Sequence, residues 1–276
     1  MPRRSPPTLP TARWTTAIER IRSDRRRGAQ ALAETTLREL DRELRRWPPG
    51  PKRSLARAAR AVARSLGATQ PAMGVFGRWA DEWRALARRG SPRRRAGWVR
   101  RWRSRLARES ERIAARAARR CPPGARVLTF SRSGTVADVL GGLRGVRRPL
   151  TVIALESRPG GEGRTMARDL RRRGVAARCL PDARADEAVA ASDLLLLGAD
   201  TVEDDGAVVH KVGTRALAER ARRAGRPVVV VAGRSKFCRR RVRRLPSLFD
   251  RTPARLVSAY WTDGPARPKR SNRPRR

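Results

Sequence analysis

RVLTFSRSGTVADVL, from Arg126 to Leu140, changes character twice. Arg126 to Phe130 is a short, mostly apolar run of the kind that forms a buried strand. A helix is predicted from Ser133. Between the two lies Ser131-Arg132-Ser133-Gly134-Thr135, whose hydroxyls and glycine at a helix start suit the cradling of a phosphate.

The same alternation continues downstream. Strand-like runs fall at Leu150 to Leu155, Ala176 to Leu180, Leu194 to Leu197 and Pro227 to Val231. Helical stretches begin near Gly163, Arg184 and Gly213. Such a succession predicts βαβ units, a mostly parallel sheet and helices on both of its faces. Ligands of that architecture sit beyond the carboxyl ends of the strands, where helix N-termini point N–H groups at anions.

Upstream the pattern is helical. Ile18, Ile21, Leu32, Leu37, Leu40 and Leu44 recur mostly three or four residues apart among charged residues. Pro48-Pro49-Gly50-Pro51 ends that region. Further helices are predicted near Ser54 to Leu66, Ala72 to Ala87 and Ala96 to Ala118. The expected organisation is a basic arm over 1–12, a helical domain over 13–120, a Rossmann-like α/β domain over 121–264 and a disordered basic tail over 265–276. The predicted fold class is therefore α/β, with a helical N-terminal domain.

The chain carries 63 arginines but only four lysines, and its net charge is +42. Two readings of that charge stand. One is a positive field suited to nucleic acid or phosphorylated ligands, with non-specific RNA binding as its consequence. The other is the composition of a GC-rich coding sequence, with solvated arginines in place of lysines. Between Arg88 and Arg108, ten arginines surround Trp98 and Trp102. That mixture suits either base stacking or an amphipathic helix that packs its tryptophans inward. Cys121, Cys179 and Cys238 have no metal-ligand spacing and imply no disulfide framework, as in a reducing cytoplasm. No metal or cofactor is expected. No apolar run reaches bilayer length, so a cytoplasmic protein without membrane contact is the expectation.

The loops after the strands hold the candidate site. Besides Ser131, Arg132 and Ser133, the second strand leads into Glu156-Ser157-Arg158-Pro159-Gly160-Gly161. The Leu194 to Leu197 strand delivers Gly198-Ala199-Asp200. Asp204 to Thr214, DDGAVVHKVGT, then holds His210, the single histidine, beside Lys211. A compact ammonium reaches a phosphate or carboxylate as a point charge where a guanidinium fork is too bulky.

GADTVEDDGAVVHKVGT, with VLTFSRSGTVADVL, ALESRPGGEGRTMARDLRRRG and VVVVAGRSKF around it, resembles the eukaryotic initiation factor 2B alpha/beta/delta family. That family includes the related methylthioribose-1-phosphate and ribose-1,5-bisphosphate isomerases. The likeness runs from about Ile18 to Gly264. It implies a helical domain, a Rossmann-like domain and a site between them. In the isomerases a cysteine and an aspartate interconvert an aldose and a ketose phosphate. The aspartate corresponds to Asp200, and Ser131 stands at the cysteine's position. A thiol exchanges its proton near neutral pH, whereas a serine hydroxyl without an adjacent base is a far poorer acid.

Other positions are mixed. Arg27, Gly28 and Ala29 match a motif that helps hold substrate phosphate, whereas Gln70 replaces an arginine and His210 an asparagine. Lys211 is kept, and Lys236 also falls on a family-like position. The resemblance thus leaves two functions. One is a non-catalytic, initiation-factor-like subunit that binds a sugar phosphate or nucleotide and forms a homodimer or larger oligomer. The other is an aldose–ketose isomerase with altered chemistry.

Overall fold

Periodic apolar residues make five helices in the N-terminal half: α1 (Ala12–Ser23), α2 (Ala29–Leu44), α3 (Lys52–Thr69), α4 (Gly74–Arg89) and α5 (Pro92–Ala117). The computed structural model describes residues 10–24, 27–47, 52–89, 91–145, 150–238 and 241–265. Most of the expected N-terminal arm, the Pro48–Pro51 break and all but the first residue of the expected tail lie outside the described residues. The chain divides into two units, one through Leu106 and one from Ala107.

In the first unit Thr11 caps α1, its hydroxyl oxygen accepting from the Trp14 N–H at 3.4 Å. The same hydroxyl donates to Glu43 Oε2 at 2.6 Å, and the Thr11 N–H donates to Glu43 Oε1 at 2.7 Å. Both carboxylate oxygens of a buried glutamate are thereby satisfied, which ties the start of α1 to the end of α2. Leu32, Leu37, Leu40 and Leu66 are fully buried along the inward stripes of α2 and α3.

The four tryptophans of α4 and α5 form one aromatic block. Trp79 meets Trp98 and Trp102 edge to face, with ring centroids 5.7 and 5.5 Å apart. Trp83 meets Trp98 in the same way at 5.7 Å. The indole N–H groups of Trp98 and Trp102 both donate to Glu82 Oε2, at 2.7 and 2.8 Å. Trp98 and Trp102 are buried against the α4 rings with their N–H groups satisfied, so the packing reading of the Arg88–Arg108 segment holds over base stacking.

The second unit is a doubly wound α/β sheet. Its elements are β1 (Arg126–Phe130), α6 (Gly134–Gly145), β2 (Thr151–Leu155), α7 (Glu162–Arg172), β3 (Ala176–Leu180), α8 (Ala185–Ala190), β4 (Leu194–Leu197), β5 (Thr201–Val202), β6 (Val208–Lys211), α9 (Thr214–Arg223), β7 (Val228–Val231), β8 (Phe249–Thr252) and β9 (Ala259–Trp261). Six strands pair in the order β3-β2-β1-β4-β7-β9, all parallel.

Successive strand residues alternate between the two faces of the sheet. Val127, Leu194, Leu196, Val229 and Val231 pack with α6, α7 and the end of α5. Leu128, Leu195, Leu197, Val228 and Val230 pack with α8 and α9. Burial on both faces is why these strands read as continuous apolar runs rather than as alternating ones. Ile113 and Ala117 belong to the first of these cores, which is why α5 from Ala107 onward joins the second unit.

Two features depart from the simple alternation. β5, β6 and β8 form a separate antiparallel sheet, so DDGAVVHK is the turn and return strand of a hairpin rather than a plain loop. β9 adds a sixth parallel strand beyond β7.

Candidate functional site

β1 sits at the point where the strand order reverses, with β2 on one side and β4 on the other. The chain leaves β1 and β4 toward opposite faces, which opens a crevice at their carboxyl ends. Ser131 to Ser133 and Gly198 to Asp200 lie there.

Ser131 adopts a left-handed backbone, φ 62°, as does Ser157 at the end of β2, φ 65°. A residue with a Cβ holds that conformation at a cost of about 1–3 kcal/mol, and only where its surroundings enforce it. Here the Ser131 N–H donates to Ser157 Oγ at 2.6 Å, and that hydroxyl donates to Leu155 O at 2.9 Å. Asp182 in turn accepts the N–H groups of Ser157 and Arg158, each at 2.7 Å. The turns after β1, β2 and β3 are thus locked together, and Ser131 is buried within them. Its own hydroxyl has no hydrogen-bond partner among the described residues.

Ser133 precedes α6 and accepts the Val136 N–H at 3.3 Å. Gly198 lies directly against it. A Cβ on Gly198 would overlap Ser133 Oγ, stand 2.6 Å from Ser133 Cβ and reach 3.3 Å from His210 Nε2. Glycine is therefore required where β4 enters the crevice.

His210 is buried on β6, with Nδ1 3.2 Å from Thr214 Oγ1. The single proton of that hydroxyl goes to Lys211 O at 2.5 Å, so Thr214 accepts from an Nδ1–H. The remaining nitrogen, Nε2, is then an unprotonated acceptor on the side of Gly198 and Ser133. Burial, with the Lys236 and Lys211 charges, lowers the His210 pKa to about 3. The ring is neutral at physiological pH.

Lys211 is not a free cation. Its Nζ lies 2.6 Å from Glu162 Oε1, and its side chain is 9% exposed. Glu162 Oε2 has no hydrogen-bond partner among the described residues. Lys236, in the turn after β7, is a second buried lysine, 3.4 Å from Thr135 Oγ1 at the start of α6. Burial pushes its ammonium pKa down, while Asp200, Glu109 and Asp138 act in the opposite direction. Glu109 in turn holds the turn that carries Lys236, accepting the Ser235 N–H at 3.0 Å and the Ser235 hydroxyl at 2.6 Å.

Ser131, Ser133, Asp200, His210 and Lys211 therefore gather at one sheet edge, joined by Thr135 of the expected phosphate cradle, by Lys236 and by Glu109, the last of which the sequence did not point to. Lys236 had a faint signal as one of four lysines within VVVVAGRSKF. The other candidates have their charges or amides engaged. Arg132 pairs with Asp169 at 2.8 Å. Glu156 is held by Arg158 at 2.9 Å and by Arg164, and the Arg158 hydrogen bond keeps its carboxyl below the usual range.

Arg27, Gly28, Ala29 and Gln70 belong to the first unit. Arg27 pairs with Asp24 at 2.7 Å and donates to Thr35 Oγ1 at 3.0 Å. Gly28 precedes α2, and Ala29 begins it. The Gln70 amide donates to Ile21 O at 3.1 Å, Arg22 O at 3.0 Å and Asp24 O at 3.4 Å. It holds the end of α1. Among the described residues no group of histidine, cysteine and acidic side chains is arranged to bind a metal ion. Nor is any described helix long and apolar enough to cross a membrane.

The sequence model of the Initiation factor 2 subunit family matches residues 25–246, which takes in α2 through β7 and every residue of this sheet edge. The chain belongs to that family.

Family relatives carry different names. The chain is similar to ribose 1,5-bisphosphate isomerase of Archaeoglobus fulgidus, 30% identical over 43% of this chain and 38% of that one. It is also similar to methylthioribose-1-phosphate isomerase of Gemmatimonas aurantiaca, 33% identical over 51% of each. The chain spans between about a quarter and about half the length of the curated relatives it matches. In fold it is similar to the translation initiation factor eIF-2B of Pyrococcus horikoshii, with a TM-score of 0.80, 22% identity and coverage of 91% of this chain and 95% of that one. A subunit of the tetrameric eIF2B beta2-delta2 complex of C. thermophilum gives a TM-score of 0.76 at 19% identity, covering 91% of this chain and 88% of that one.

Proposed function

We propose that this family member binds a phosphorylated sugar or nucleotide at the carboxyl edge of its parallel sheet, without isomerising it. Lys236 and the first turn of α6 supply positive potential for the phosphate, while the Lys211 charge is held by Glu162. His210 Nε2 and Asp200 supply acceptors for ligand hydroxyls. Self-association, as in the eIF2B complex it resembles in fold, is part of the same reading.

The observation that carries the non-catalytic reading is Ser131. The resemblance puts the isomerases' proton-exchanging cysteine at this position. Here the group is a hydroxyl with no base hydrogen-bonded to it, so its proton is held far more tightly than a thiol's.

One observation favours an isomerase instead. His210 presents an unprotonated nitrogen on the same crevice as Asp200. A pKa of about 3 makes it a weak base, which is why this reading ranks second.

The test is phosphorus and carbon NMR of the nucleic-acid-free protein with ribose 1,5-bisphosphate and, separately, methylthioribose 1-phosphate. The expected result is phosphorus signals that broaden on titration with no ketose formed. Accumulating ketose would overturn the non-catalytic reading, and Asp200→Asn should then abolish it. Unperturbed phosphorus signals would overturn the site itself.

A further inference from the structure

Arginine is abundant everywhere in this chain, but its company is not uniform. On most helices it is matched by acid within a turn or across a strand end. Arg22 pairs with Glu19 on α1, Arg42 with Glu39 and Arg45 with Asp41 on α2, and Arg215 with Glu219 on α9. From residue 44 to residue 108 there are nineteen basic residues and two acidic ones, Asp81 and Glu82. Asp81 pairs with Arg84, and Glu82 is occupied by Trp98, Trp102 and Arg78.

Within that region α3 stands out by geometry. Arg53, Arg57, Arg60 and Arg64 are all exposed, and none makes an ion pair or hydrogen bond among the described residues. Steps of four, three and four residues keep them within about 60° of one another around the helix and spread them over about 16 Å of its length. The helix has no acidic residue. Three consecutive like-charge neighbours work against the helix they sit on. Composition alone explains arginine in place of lysine; it does not explain the loss of acid from a face where acid would stabilise the helix.

The rest of that face says what it fits. The other residues of α3 that are not buried are Lys52, Ser54, Ala56, Ala61, Ser65, Gly67 and Ala68. The face has no large apolar or aromatic side chain to form the desolvated centre of a protein interface, only exposed arginines among small residues. Trp14, Trp79, Trp83, Trp98 and Trp102 are buried, and half-buried Trp47 has the Arg95 guanidinium over its ring, so unstacked bases find no open platform among them. What the face offers is a straight row of guanidinium forks among small residues, which suits evenly spaced phosphates on a regular backbone.

We propose that the α3 arginine stripe is a sequence-independent docking surface for the phosphate backbone of a nucleic-acid duplex. It shares no residue with the sheet-edge site and does not depend on the ligand proposed there.

The test is fluorescence anisotropy of the full chain with labelled RNA and DNA duplexes about two helical turns long, across a salt series. In the combined variant Arg53→Gln, Arg57→Gln, Arg60→Gln and Arg64→Gln, the slope of log affinity against log salt should become shallower by about 3 to 4. A charge-matched control neutralises Arg168, Arg172, Arg178 and Arg223, which are exposed on the second unit. It should change the slope by less than about 1. Equal slopes on RNA and DNA assign the surface to duplex backbone in general, and a steeper slope on one names the source.

Equal losses in the two variants would show that only net charge matters and would overturn the proposal. So would binding to phosphatidylserine vesicles without binding to either duplex. If circular dichroism shows that the combined variant has lost helix, the single changes Arg57→Gln and Arg60→Gln replace it. Each should lower the slope by about 1, and no change in either would refute the stripe.

Discussion

Gly198→Ala is the sharpest check on the geometry of the sheet edge. The added methyl would overlap Ser133 Oγ and stand 2.6 Å from Ser133 Cβ. The hydroxyl can rotate away, but it then releases the Val136 N–H that it accepts at 3.3 Å, a lost cap of about 1 kcal/mol. The Cβ cannot rotate away, because the backbone of the β1 turn fixes it. Forcing two such atoms apart in a packed site costs about 1–3 kcal/mol more. The expected loss is about 2–4 kcal/mol, read as a fall in the urea midpoint with an unchanged slope.

A double variant isolates the cause. Ser133→Gly removes the clashing Cβ, and glycine is itself a tolerable cap. Gly198→Ala combined with Ser133→Gly should therefore recover at least about 1 kcal/mol relative to the sum of the single changes. Additive losses, or a Gly198→Ala protein within about 0.5 kcal/mol of the parent, would refute the close approach of β4 to the α6 start.

His210 gives a pH signature. Its folded pKa, about 3, lies below its unfolded value, so the unfolded chain binds the proton first as pH falls. The stability that comes from keeping the ring neutral is complete above about pH 6.5 and is lost as pH falls toward 3, with a slope of up to about 1.4 kcal/mol per pH unit. His210→Asn should flatten that part of the stability profile, measured by denaturation between pH 6.5 and pH 4; an unaltered profile would mean the ring is not buried. Lys236→Met keeps the stem and removes a buried ammonium near Asp200. It should weaken phosphate binding at least about tenfold by calorimetry with a urea midpoint no lower than the parent's, and undiminished affinity would remove Lys236 from the site.

The contrast between the two sheets shows which elements were legible. β1, β3 and β4 have the ends expected from sequence; for the central strands β1 and β4 the reason is burial on both faces, which makes them apolar apart from Arg126 at the start of β1. The antiparallel sheet left no such trace. β5 is two residues long, and β8 reads FDRT, half-buried with no alternation to follow. β9 is only three residues, too short to stand out from its surroundings.

The candidate site divides in the same way. Ser131, Ser133 and Asp200 follow apolar strands directly, so knowing the strands was enough to find them. Lys236 lies in a short turn beyond β7, marked in the sequence only by its rarity as a lysine and its family-like position. It reaches the site because β7 pairs with β4, a neighbour relation between segments separated by α9. Lys211 was legible as a cation, but its pairing with Glu162, 49 residues away, was not.

By itself, the order of apolar runs determined the two-part organisation, the parallel sheet and the edge on which its loops converge, because burial and backbone hydrogen bonding leave such runs few arrangements. Only the tertiary structure decided which charges are free to meet a ligand and which are already paired. That choice depends on distances between side chains far apart in sequence, and ion pairing and burial act through space.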